Sequence, residues 1–176
     1  MKEQPKAGEK ANLQQGEALE KIKALVEDID TCMLCTYSNG KLKSRPMSVR
    51  KIEDDGTLWF MSDKDSDKNR EISLDKNVDL LFAGGHEKFL ALHGSAEIST
   101  DRTKIKELWN PFLKIWFPDG EDDAAIGLVK VKFDDGYYWD TKHGHMVSLL
   151  KMAGSLITGT THDDGVEGSL SEIRNS

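Results

Sequence analysis

The alternation of apolar and polar residues divides the chain into one opening helix, a series of short strands and a few later helices. Leu19, Ile22, Val26 and Ile29 recur at helical spacing and give "GEALEKIKALVEDID" one apolar stripe. "TCMLCTY" follows as a strand of β-branched and apolar residues. Asn39-Gly40 comes next and suits a two-residue hairpin turn, because both residues tolerate positive φ. The returning strand carries Lys43 to Arg50, "EDDG" turns the chain again, and "TLWFMS" is a third strand. The second half of "DKDSDKNREISLDKN" predicts a short helix with Ser66 as its cap. "VDLLFA" and "FLALHGSAEIST" are further strands, with Gly94 marking a bulge in the longer one. "TDRTKIKELWNPF" predicts a helix behind cap residues, and "KIWFPDGEDDAA" a loop. "IGLVKVKFD" and "GYYWDT" predict a hairpin with "DDG" at its corner, and "HMVSLLKMAGSL" a final helix.

No strand–helix–strand unit repeats. Short strands separated by turn signals favour a mainly β fold, a small antiparallel barrel with flanking helices, over a doubly wound sheet. Residues 1–15 read as a flexible tail, 16–158 as one domain, and the Gly-, Asp- and Ser-rich residues 159–176 as a disordered tail.

A length of 176 residues suits one domain that needs no staple. A net charge of −7 argues against general nucleic-acid binding, which needs a basic footprint. The polar N-terminus lacks the apolar core of a signal peptide, and no run reaches membrane-spanning length, so a cytoplasmic location is expected.

Several candidate motifs fail on their chemistry. Cys32 and Cys35 form a C-x-x-C, but on a strand residues three apart face opposite ways, so inert thiols are expected. Asp63, Asp65 and Asp67 mimic a calcium loop whose sixth position, here Lys68, should be glycine, and whose twelfth, here Leu74, should be glutamate. "HEKFL" has Leu90 where a zinc-protease motif needs its second histidine. His143 and His145 lack a third ligand, and His93 reads as a core or pocket histidine. No metal site is expected.

Three features survive. Arg45, Pro46, Met47 and Ser48 lie on the second strand, Met61 and Ser62 end the third, and Ser66 and Lys68 lie just beyond. Hairpin neighbours could bring Arg45 and Lys68 to one spot beside hydroxyls and helix-start amides, which is chemistry for a phosphate monoester. On residue pattern alone, the plainer reading of both is an ordinary exposed charge.

The run "SRPMSVRKIEDDGTLWFMSDKDSDKNREI", with "LHGSAEISTDRTKIKELWNPFLKIWFPDG" and "YYWD", resembles the general stress protein 26 branch of the pyridoxamine 5′-phosphate oxidase-like superfamily over roughly residues 17–157. The resemblance implies a six-stranded split β-barrel and a homodimer with FMN at the subunit interface. It implies that Arg45 to Ser48 line the flavin and its phosphate tail, and that Met61 and Ser62 contact the cofactor. Ser66 and Lys68 would hold the phosphate, and an aromatic residue from the second subunit, Trp139 or next Trp116, would complete the site. The implied function is a flavin-dependent oxidoreductase of unassigned substrate, or else a non-catalytic flavin-binding or sensing stress protein. No side chain stands out as acid or base. True pyridoxamine phosphate oxidases end in a basic, histidine-containing signature, whereas "THDDGVEGSLSEIRNS" is acidic, so vitamin oxidation is not expected.

Overall fold

The computed structural model describes residues 11–12, 15–85, 88–140 and 145–148. Its strands are β1 (Ala11–Asn12), β2 (Thr31–Ser38), β3 (Lys41–Ile52), β4 (Leu58–Asp63), β5 (Asn77–Gly84), β6 (Lys88–Ser99), β7 (Ile126–Asp140) and β8 (His145–Ser148). The helices are α1 (Gln15–Ile29), α2 (Asp67–Leu74) and α3 (Arg102–Leu108), with 3-10 turns at Pro111–Ile115 and Gly120–Asp122. Six strands close a ring in the order β7–β4–β3–β2–β5–β6, with β6 returning to β7 and every pairing in the ring antiparallel. This is the split barrel that the sequence predicts.

Strand alternation fills the ring. Leu34, Phe60, Leu80, Leu92 and Val129 point inward and are fully buried, and α1 closes one end with Ile22 and Val26. Residues of β4 and β7 on the opposite face build a second core, where Trp59, Met61 and Leu128 meet Ile105, Leu108 and Phe117. The β2–β3 turn has φ of 52° at Asn39 and 70° at Gly40, the geometry that the Asn-Gly pair predicts.

Three sequence expectations need correction. β7 runs unbroken from Ile126 to Asp140, so "DDG" is not a hairpin corner. His93 pairs with Asp135 and Gly94 with Phe133, which leaves Asp134 as the extra residue of a bulge. The same turn-forming residues thus bend a strand without ending it. Backbones approach closely here: a Cβ on Gly94 would lie 2.2 Å from the Lys132 carbonyl oxygen. The second correction is that His145–Ser148 forms β8, where a helix was expected, because pairing with Tyr137–Asp140 overrides the local helical pattern. The third is that Ala11 and Asn12, expected in a flexible tail, pair in parallel with Val147 and Ser148. The rest of the two expected tails and of the last helix lies outside the described residues.

The outer face of the sheet has an apolar row. Met33 pairs with Leu81, Leu81 with Ala91 and Ala91 with Tyr137, while Phe89 pairs with Trp139. Met33, Leu81, Phe89, Tyr137 and Trp139 are each 39–44% exposed among the described residues. Among the described residues, no helix is long and apolar enough to cross a membrane.

Candidate functional site

The site grows from the contact between α2 and the β2–β3 hairpin. Arg45 pairs with Leu34 across the strands and so shares its face, which places the guanidinium at the barrel end covered by α2. There it meets Glu71, whose side chain is only 6% exposed. Arg45 Nη2 donates to Glu71 Oε2 at 2.7 Å, and Arg45 Nη1 donates to Thr36 Oγ1 at 2.6 Å. Thr36 Oγ1 in turn donates to Glu71 Oε2 at 2.5 Å, and Lys43 Nζ donates to Oε1 at 2.6 Å. Burial pushes the Glu71 carboxyl up, but the hydrogen bonds from Lys43, Thr36 and Arg45 outweigh it and hold the pKa at about 2.

Lys68 stands one helical turn before Glu71. Its Nζ donates to Ser66 Oγ at 3.1 Å, and among the described residues no carboxylate lies within ion-pair distance of it. Burial first, then the neighbouring Arg45 charge, lowers its pKa from the ordinary lysine value, while Asp63 opposes the shift. Ser66 occupies the N-cap of α2, as the sequence predicts, yet its side chain makes no capping bond. Its Oγ faces Lys68 and lies 3.4 Å from Ser62 Oγ, and Ser62 Oγ also donates to Asn69 Oδ1 at 3.0 Å. The Asn69 and Arg70 N–H groups donate to Ser66 O, which leaves the Asp67 and Lys68 N–H groups at the start of α2 without an acceptor inside the helix.

Pro46 answers to the split in the barrel. Val49 N donates to Asp30 O at 2.7 Å, and antiparallel pairs alternate, so the Met33–Pro46 pair is a non-hydrogen-bonded one. The proline nitrogen therefore points to the other edge of β3, where pairing with β4 begins only at Val49. A residue without an N–H suits that open edge.

The structure brings Arg45, Ser62, Ser66 and Lys68 together. It puts Pro46 and Ser48 on the outer face and exposed, with Met47 against the main core. The side chain of Met61 belongs to the second core, so only its backbone borders the site. Trp139 stands on the apolar outer face, and Trp116 projects with Phe112 and Ile115 from the 3-10 turn over the second core. Sequence reasoning missed Glu71, Lys43, Thr36 and Asn69. Glu71 had one signal, its i+3 position from Lys68 on a helix.

Among the described residues the cluster offers groups that can receive an anion: a half-buried ammonium without a carboxylate partner, a guanidinium held from behind, hydroxyls and helix-start amides. Comparison with known proteins gives the family. The family model for proteins described as "Pyridoxamine 5′-phosphate oxidase like" matches residues 17–163. General stress protein 26 from Bacillus anthracis is 30% identical, with a TM-score of 0.62 over 69% of this chain and 92% of that one. The general stress FMN/FAD binding protein from Xanthomonas citri is 28% identical, with a TM-score of 0.62 over 70% and 89%. Protein bli-3 of Neurospora crassa is 28% identical over 130 residues, which cover 68% of this chain and 62% of that protein. The family model matches most of the chain, so the chain belongs to the pyridoxamine 5′-phosphate oxidase-like family.

Proposed function

We propose that the protein binds FMN in the cytoplasm as a homodimer and acts as a flavin-dependent oxidoreductase whose substrate is unassigned. The observation that carries this reading is Lys68, a half-buried cation beside Arg45 with a hydroxyl as its contact. Lys43, Arg45 and Lys68 outweigh Glu71 and the neighbouring Asp63, so the cluster is net positive. That surplus suits a phosphate monoester, which carries about −1.5 to −2 at neutral pH. Ser66 and Lys68 offer one compact cradle, which suits the single terminal phosphate of FMN better than the linked diphosphate inside FAD, so FMN is the favoured flavin.

Ser66 and Lys68 hold the phosphate with the first amides of α2, and Arg45 lies alongside. The open edge of β3 at Pro46 to Ser48 receives the rest of the cofactor. The apolar outer face supports a two-fold partner, and Trp139 or Trp116 then reaches the second subunit's flavin. The bound flavin supplies the electron chemistry, and the chain supplies binding and orientation. Glu71 favours a second reading, binding or sensing without turnover. It is the acid of the cluster, yet it is held ionised and cannot deliver a proton near neutral pH. Bleaching by a nicotinamide donor followed by turnover with an acceptor separates the two readings.

The binding site is tested by Lys68→Met. A charge-assisted hydrogen bond contributes roughly 1.5–3 kcal/mol, or about ten- to a hundredfold in affinity. Fluorescence titration should show that loss for FMN and almost none for riboflavin, which lacks the phosphate. Equal FMN binding by variant and wild type would place the phosphate elsewhere.

A further inference from the structure

A second constellation lies away from the flavin cluster, on the outside of the barrel wall. Tyr37 of β2, Asp79 of β5 and His93 of β6 belong to three adjacent strands and face outward together. Tyr37 Oη donates to Asp79 Oδ2 at 2.5 Å, and Asp79 Oδ1 pairs with His93 Nδ1. Both oxygens of this carboxylate, 17% exposed, are therefore engaged. A proton on Nδ1 is what that pairing requires, so the acceptor lone pair of the uncharged form of the ring is on Nε2. His93 lines an open cavity of about 460 Å³, whose other walls include Asp75 and Asn77 from the turn after α2, and Asp134 from the β7 bulge.

We infer that this cavity is a ligand site for a small primary-ammonium compound, with His93 Nε2 as the central acceptor. The lining contains three carboxylates and neither lysine nor arginine, so it repels the anions that the α2 cluster attracts. An acidic lining with an imidazole acceptor suits a hydrogen-bonding organic cation. An ammonium group offers three donors, and the walls offer three acceptors: His93 Nε2, the Asp134 carboxylate, and the Asp75 oxygen not occupied by Asn77. Tyr37 lines the cavity, so an aromatic face flanks the place of the alkyl chain. The chain Tyr37–Asp79–His93 fixes the acceptor before the ligand arrives. None of this depends on flavin binding.

The test uses the full chain and n-butylammonium chloride, read by the imidazole NMR signals of His93, with butan-1-ol and sodium butyrate as controls. Butylammonium should give a saturable shift, and the two controls none. His93→Ala, read on the Tyr37 ring signals, should weaken binding by at least about tenfold, the size of one charge-assisted hydrogen bond. Asp134→Asn, on an exposed bulge where folding is not at risk, should weaken it several-fold. The inference is overturned if butanol binds as tightly as butylammonium, if neither variant changes the affinity, or if no saturable shift occurs through the millimolar range.

Discussion

Replacing Glu71 by Gln leaves the shape of the side chain and removes its charge. Lys43 Nζ and Arg45 Nη2 would then share an amide with one acceptor oxygen, and the amide nitrogen would face a cation. The carboxyl is held at about 2 in the folded chain against 4.5 in its absence. That difference corresponds to roughly 3 kcal/mol at neutral pH, reduced to about 2–3 because Lys43 is half exposed and solvent screens it. The sign follows from the direction of the shift. A depressed carboxylate stabilises the fold fully above about pH 4.5, and the contribution disappears as pH falls toward 2. At pH 3.5 about 40% of it should already be gone. Urea unfolding of wild type and Glu71→Gln at pH 7 and pH 3.5 measures both quantities. The free-energy gap between the two proteins should be about 2–3 kcal/mol at pH 7 and clearly smaller at pH 3.5. A gap that stays constant, or grows in acid, would refute the ion-pair account of Glu71.

Gly94→Ala should cost about 3 kcal/mol or more in urea unfolding, because the added Cβ meets backbone atoms of Lys132 and Phe133 that cannot move aside; a neutral substitution would mean that the bulge is misplaced. Leu81→Lys puts a charge in the middle of the outer apolar row and should convert the proposed dimer to a folded monomer by light scattering; a wild type that is itself monomeric would remove the basis of the two-fold site. Burial pushes the Cys32 thiol up to about 12, so it should react slowly with thiol reagents in the native protein. After unfolding without reductant, two thiols per chain should titrate, since Cys32 and Cys35 are free and on opposite faces of β2.

The parts of the fold legible in the sequence were those fixed by local signals. The stripe of α1, the Asn39-Gly40 turn and the alternation of β2, β5 and β6 each follow from residues within a few positions of one another. "DDG" misled because a turn signal and a bulge signal use the same residues, and only the pairing of His93 with Asp135 tells them apart. The basic cluster beside α2 was half legible. Arg45, Ser66 and Lys68 announced themselves as charges and hydroxyls near a predicted helix start. Glu71 did not, because its partners Lys43 and Arg45 lie 28 and 26 residues away, and no local pattern specifies that contact. His93, read as a core or pocket histidine, proved to line a cavity, but its link to Asp79 needed the strand register.

The double burial of β4 has a consequence for how errors in this protein would look. Leu58 and Phe60 face the ring while Trp59 and Met61 face the second core, so both sides of the strand are apolar. Elsewhere a slip of one residue would expose an apolar face and be punished; on β4 it would exchange one greasy set for another. What pins this strand is small and lies at its ends. Glu53 N bonds to Thr57 O at 2.9 Å across a turn whose Gly56 has a φ of 84°, and Lys64 N bonds to Ala125 O at 2.8 Å. Ser62 adds a third pin, because its hydroxyl meets both Asn69 Oδ1 and Ser66 Oγ in this register. Damage at the Gly56 turn would therefore allow frame-shifted barrels, close to native in strand content and compactness, in which Ser62 turns away from Ser66 and the anion cradle is lost. Such molecules would pass a fold check by circular dichroism and fail only when offered their ligand.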